Sequence, residues 1–155
     1  MRIDVLGVGF DNITMDQAVA EGVRLMDTAG AHYVVTPNPE IVETCRQDGE
    51  AMEAVNGADL VLADGIGVIY GAKLLGTPLK GRVTGIGFAQ GLMERMAGNG
   101  RSLYLLGAKP GVAERAAENL ARQYPGLQIA GTHDGYFSED GPVTEDIRAS
   151  GADVV

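Results

Sequence analysis

Apolar and polar positions alternate along this chain in blocks of two kinds. Residues 3–8 form a short apolar run that ends among Gly7 and Gly9, which predicts a strand and a tight loop. Thr14-Met15-Asp16-Gln17 has the form of a capping box, and apolar residues then recur at Met15, Ala18, Val19, Gly22, Val23 and Met26. That spacing predicts a helix that Gly30 can end. A second strand is expected at 32–36, stopped by Pro37 and Pro39, and a helix at 40–46 with Ile41, Val42 and Cys45 on one face. A turn or two of helix follows around 51–55. Residues 59–63 are almost continuously apolar, as a strand covered on both faces should be. Helical spacing returns at 66–75 and 88–97, joined by a polar connection at 76–85. The second half repeats the alternation, with a strand at 102–106, a helix running to Tyr124, a strand at 127–130 and a short helix at 142–150. Strands alternating with helices predict an α/β fold with a mostly parallel sheet. No linker divides the chain, so a single domain over 1–155 is expected.

The chain ends on Gly151-Ala152-Asp153-Val154-Val155, which matches the Gly57-Ala58-Asp59-Leu60-Val61 that opens the third predicted strand. Val154 is therefore expected to pair with a neighbouring strand. A domain rarely stops at the start of a buried strand, because backbone groups would be left unpaired. A further C-terminal part is expected for that reason; a short edge strand is the alternative.

The formal net charge of −9 argues against nucleic acid, where basic residues must displace counterions from phosphate. It also argues against this chain alone holding an anionic membrane surface. Cys45 is the lone cysteine, so no internal disulfide forms and a reducing compartment fits. No apolar run reaches the length needed to cross a bilayer.

In an open parallel sheet, ligands sit outside the strand C-termini. Four loops qualify by position: 7–12, 36–40, 64–67 and 107–111. Gly7, Gly65 and Gly85 each open a Gly-x-Gly, but none is followed by the third glycine of a dinucleotide fingerprint, and no P-loop is present. His32 and His133 stand far apart without a His/Cys cluster, which fits structural histidines, and no Asp-x-Asp pair offers a seat for Mg²⁺ under a diphosphate. No metal or cofactor is expected.

Thr36-Pro37-Asn38-Pro39 is either a rigid strand-to-helix turn or a device that fixes the Thr36 hydroxyl and the Asn38 amide toward a ligand. Asp64 is either the N-cap of the next helix or a general base on a rigid element, beside a glycine that admits close approach. Arg82 is either a solvated charge or a fork for phosphate oxygens. Gly107-Ala108-Lys109-Pro110-Gly111 leads from strand to helix, with Pro110 suited to the first turn; Lys109 and free N–H groups there suit a phosphate.

These segments together resemble the TagA/WecG/CpsF family of bacterial glycosyltransferases. The matching stretches are Val35-Thr36-Pro37-Asn38-Pro39-Glu40, Ala63-Asp64-Gly65-Ile66-Gly67-Val68, Arg82-Val83-Thr84-Gly85, Leu105 through Ala113, and Gly135-Tyr136-Phe137. They occur in family order and span nearly the whole chain. The resemblance implies a Rossmann-like domain and metal-free, inverting transfer of an N-acetylmannosamine-type sugar. The donor would be a UDP-sugar and the acceptor a polyprenyl-diphosphate-linked N-acetylglucosamine, in teichoic acid-like polymer synthesis at the inner face of the cell membrane. It points to Asp64 and Thr36 as catalytic residues, and to Asn38, Arg82, Gly107, Lys109, Gly111 and Tyr136 as substrate-binding ones. Family members continue with a Pro-Lys-Gln-Glu-type segment and a basic appendage, neither of which lies in this chain. Membrane contact is expected only through that missing part, and self-association is expected because the family often shows it. A sugar-nucleotide-binding module without catalysis is the competing reading, and a NAD-dependent oxidoreductase a weaker third.

Overall fold

A computed structural model describes all residues, 1–155. The chain divides into two compact units, Met1–Gly91 and Leu92–Val155.

The first unit opens with strands β1 (Arg2–Val5) and β2 (Val8–Asp11), paired antiparallel. This corrects the single strand expected at 3–8. The two-residue link, Leu6 and Gly7, is left-handed at both positions (φ 56° and 94°), the geometry of a tight hairpin turn. Leu6 hid the turn by continuing the apolar run. The 7–12 segment is thus a hairpin arm, not a ligand loop after a parallel strand. Helix α1 (Met15–Met26) starts at the expected capping box, with the Thr14 side chain accepting from the Gln17 N–H and the Gln17 side chain accepting from the Thr14 N–H. It ends at Asp27, earlier than Gly30.

Strand β3 (Val34–Val35) pairs in parallel with β4 (Leu60–Val61). Both strands are shorter than expected, because Pro37 has no N–H to continue the ladder between them. Backbone bonds nevertheless extend the contact, from Asp59 N–H to Tyr33 O and from Leu62 N–H to Val35 O. Between these strands lie α2 (Pro39–Gln47) and α3 (Gly49–Asn56), and after them α4 (Ile66–Leu74) and α5 (Gly85–Asn99). Helix α5 begins three residues before the expected 88. The hairpin docks beside β4: Asp11 accepts from the Val61 N–H at 2.9 Å, and the Arg2 guanidinium donates to Asp11 and to the Asn56 and Ala58 carbonyls. Val5, Val8, Phe10, Val42, Cys45, Val61, Val68 and Ala72 form one buried cluster. Cys45 serves there as the small core residue expected, and burial pushes its thiol up.

In the second unit β5 (Ser102–Leu106) pairs in parallel with β6 (Gln128–His133), and α6 (Val112–Gln123) and α7 (Asp140–Ser150) complete it. Val154 bridges in parallel to Leu103, as its motif predicts. Tyr104 is buried at the centre, its ring against Gly131, where a side chain would have no room. The helix after β5 begins at Val112, so Pro110 lies in the preceding turn rather than in the helix. Two parallel ladders and one antiparallel hairpin, flanked by helices, make the α/β class expected, consistent with a Rossmann-like fold. No helix is long and apolar enough to cross a membrane.

Candidate active site

Three backbone segments of the first unit run side by side beyond the C-terminal ends of β3 and β4. The Asp64 N–H reaches the Pro37 carbonyl at 3.3 Å, and the Val83 N–H reaches the Ala63 carbonyl at 3.0 Å. This places Thr36, Asn38, Asp64 and Arg82 in one cluster, although they are separated in sequence.

Asp64 does not cap the helix that follows it. The N-cap position of α4 is Gly65, which has no capping side chain. The Asp64 Oδ2 instead accepts the N–H of Gly85 at 2.9 Å, the first residue of α5. Its other oxygen, Oδ1, lies 3.8 Å from Arg82 Nε, an ion pair too long for a hydrogen bond. Both side chains are partly exposed, so the pair adds little to stability. One oxygen of Asp64 is thus anchored and the other left toward a cation and solvent.

Thr36 lies against the same point. A methyl group placed on Gly85 would sit 3.1 Å from Thr36 Oγ1. Gly65 is left-handed (φ 110°), and a Cβ there would sit 3.1 Å from Pro39 Cδ; one on Gly67 would sit 2.7 Å from Pro39 Cγ. The two glycines let α4 start directly against the Asn38-Pro39 turn. Asn38 is the N-cap of α2, its Oδ1 accepting from the Ile41 N–H at 2.9 Å, and Pro39 takes the first helical position. The rigid-turn reading of this segment is therefore correct for the Asn38 oxygen. Its amide NH₂ is the group left to donate to a ligand. Sequence reasoning missed Thr84, whose Oγ1 accepts from the Gly87 N–H at 3.1 Å and caps α5. The signal was there, a threonine directly ahead of the Gly85-Ile86-Gly87-Phe88 helical run.

The remaining expected residues lie in the second unit. Gly107, Ala108 and Gly111 are all left-handed, and the N-terminus of α6 at Gly111 has no side-chain cap. Lys109 is exposed in this loop. The loop is bound to the 133–136 segment: the Gly107 N–H donates to the His133 carbonyl and the Gly135 N–H to the Ala108 carbonyl, both at 2.9 Å. Tyr136, next along, is exposed, its backbone N–H held by Asp134 Oδ1. Gly107, Lys109, Gly111 and Tyr136 thus belong to two adjoining loops.

Of the two histidines, His133 donates its Nδ1–H to the Asp134 carbonyl and meets Phe137 edge-on. His32 pairs its Nδ1 with Asp59 at 2.8 Å, but its Nε2 is buried without a partner, so only half of that ring is satisfied. A surface hollow lined by Asp48, Glu50, Glu53 and Asn56 shares no residue with the Asp64 cluster, and its acidic lining is the wrong sign for a phosphate.

The model of the family described as "Glycosyl transferase WecG/TagA/CpsF family" matches residues 3–155. The chain belongs to this family. Among similar curated proteins is the N-acetylglucosaminyldiphosphoundecaprenol N-acetyl-beta-D-mannosaminyltransferase of Bacillus spizizenii, 33% identical over 130 residues, covering 84% of this chain and 51% of the relative. The protein of the same name from Staphylococcus aureus (strain NCTC 8325 / PS 47) is 34% identical over 151 residues, covering 95% of this chain and 59% of the relative. The chain therefore spans a little over half the length of these WecG/TagA/CpsF relatives.

Proposed function

We propose that this chain carries the catalytic carboxylate and much of the donor site of an inverting glycosyltransferase. It moves an N-acetylmannosamine-type sugar from UDP to a polyprenyl-diphosphate-linked N-acetylglucosamine at the inner membrane face. The observation that carries the reading is the Asp64 cluster. A carboxylate at a strand end, with one oxygen anchored by the Gly85 N–H, keeps the second free to take a proton. In this scheme Asp64 removes the proton from the acceptor hydroxyl as that oxygen bonds to the anomeric carbon. The bond from that carbon to the UDP oxygen breaks with inversion, and UDP leaves with the electron pair. Arg82 and the Asn38 amide of the first unit meet the diphosphate charge. In the second unit, taken by itself, Lys109 and the N–H groups of the 107–111 loop are donors suited to a phosphate. Thr36 orients the acceptor or Asp64, and Tyr136 contacts substrate. The names of the relatives support the acceptor.

Asp64→Asn keeps the shape and can still accept from Gly85. In a protein of the relatives' full length containing this chain, it should fold and bind UDP normally while turnover drops roughly 10²–10⁴-fold. Near-normal turnover would place the base elsewhere.

A further inference from the structure

Helix α4 is apolar on nearly every side, a pattern proper to a helix covered all round. Its inner face is covered, with Val68 and Ala72 buried. Its outer face is not: Ile66 is 53% exposed, Tyr70 64% and Leu74 89%. These residues recur every fourth position, and Lys73 falls within the same stripe, since seven residues after Ile66 is almost two whole turns. Ile86, in the first turn of α5, is 72% exposed. Both helices begin at the Asp64 cluster: Ile66 stands two residues past Asp64, and Ile86 follows the Gly85 whose N–H binds it.

Charge separates the possible occupants. The chain is acidic overall, yet residues 65–91 contain no Asp or Glu and carry Lys73, Lys80 and Arg82. A second copy meeting this face through a two-fold axis would set like charges together. An anionic lipid surface complements it, with the aliphatic side chains and the Tyr70 ring entering the interface and the lysines reaching headgroup phosphate.

We propose that the outer face of α4 rests on the anionic bilayer and presents Asp64 to the polyprenyl-linked acceptor at headgroup depth. Membrane contact is then built into this chain rather than confined to a C-terminal part. The idea rests on the reading of the acceptor as lipid-linked, but it can fail separately. The test is flotation of this chain with vesicles of phosphatidylcholine alone and of phosphatidylcholine mixed with phosphatidylglycerol. Binding is expected on the anionic vesicles, weakened by salt, and lowered roughly tenfold or more by Leu74→Glu, which removes a buried aliphatic contact. Lys73→Glu should weaken it several-fold. Leu74 is so exposed that thermal unfolding should not change. Asp64→Asn should float like the parent, so lost transfer with retained flotation would concern the chemistry alone. Absence of flotation, or flotation indifferent to both substitutions, would overturn the proposal. A lipid-free dimer that Leu74→Glu dissolves would overturn it in favour of a second copy.

Discussion

At the scale of single residues, Asp64 and Arg82 were visible as candidates because both lie in family-like segments on glycine-flanked loops. What the sequence could not show was their relation. Asp64 precedes a helix, and a carboxylate there most simply caps that helix. The fold instead spends Asp64 on the start of α5, some twenty positions downstream, a tertiary contact that no local pattern encodes. Arg82 is held only loosely by this carboxylate, which leaves its planar donors suited to a diphosphate. Removing it should therefore cost ligand, not fold. Arg82→Ala is expected to weaken UDP binding in calorimetry by roughly ten- to a hundredfold, the value of a lost charge-assisted contact, with an unchanged melting temperature. Equal affinity would mean that the diphosphate is met by other groups, first among them the 107–111 loop with Lys109.

At the scale of elements, the helices with side-chain caps written into adjacent residues were legible, and α1 is the clearest case. The strands were less so. Residues 32–36 and 59–63 look like full strands in composition, yet regular pairing is confined to Val34–Val35 and Leu60–Val61. The matching Gly-Ala-Asp segments show what their sequence likeness meant. Asp59 exchanges its N–H with the Tyr33 carbonyl and accepts the Tyr33 N–H on its carboxylate; Asp153 does the same with Ser102. Each aspartate thus closes a small ring that starts a parallel pairing, β3 with β4 in one unit and β5 with Val154 in the other. The hairpin was missed because its turn uses Leu6 where Asn or Asp would have announced it. The start of α5 was placed late because glycines dilute its apolar spacing, yet its cap is ordinary. Thr84→Ala should cost about 1 kcal/mol in denaturant unfolding through the lost bond to the Gly87 N–H. Thr84→Ser should recover most of it, since the hydroxyl is what caps. Failure of serine to recover it would assign the loss to packing of the methyl group.

At the scale of the whole molecule, the ionisable groups with displaced titration bracket the pH range of stability. On the acid side, the His32 hydrogen bond, followed by the Tyr33 N–H, holds Asp59 below the usual carboxylate range. Asp153 is lowered in the same direction, first by the Ser102 N–H and then by the Ser102 hydroxyl and Arg101. A carboxyl that titrates lower when folded contributes stability above its unfolded value, near 4, and loses it as pH falls further. On the alkaline side stands Tyr104, which burial and then the hydrogen bond to Asp146 push up to about 12. Ionising it would put a phenolate into the core of the second unit beside a carboxylate. The unfolded chain releases this proton near pH 10, about two units earlier, so the contribution is complete below that pH and declines as pH rises toward the folded value. Tyr104→Phe separates this effect from general alkaline unfolding. It loses one hydrogen bond, so at pH 7 the denaturant midpoint should fall slightly, by the equivalent of about 1 kcal/mol. Between roughly pH 10 and 11.5 the parent midpoint should drop while that of the variant drops less, and the two curves should converge. Parallel curves across that interval would show that Tyr104 is not the group whose ionisation opens the fold.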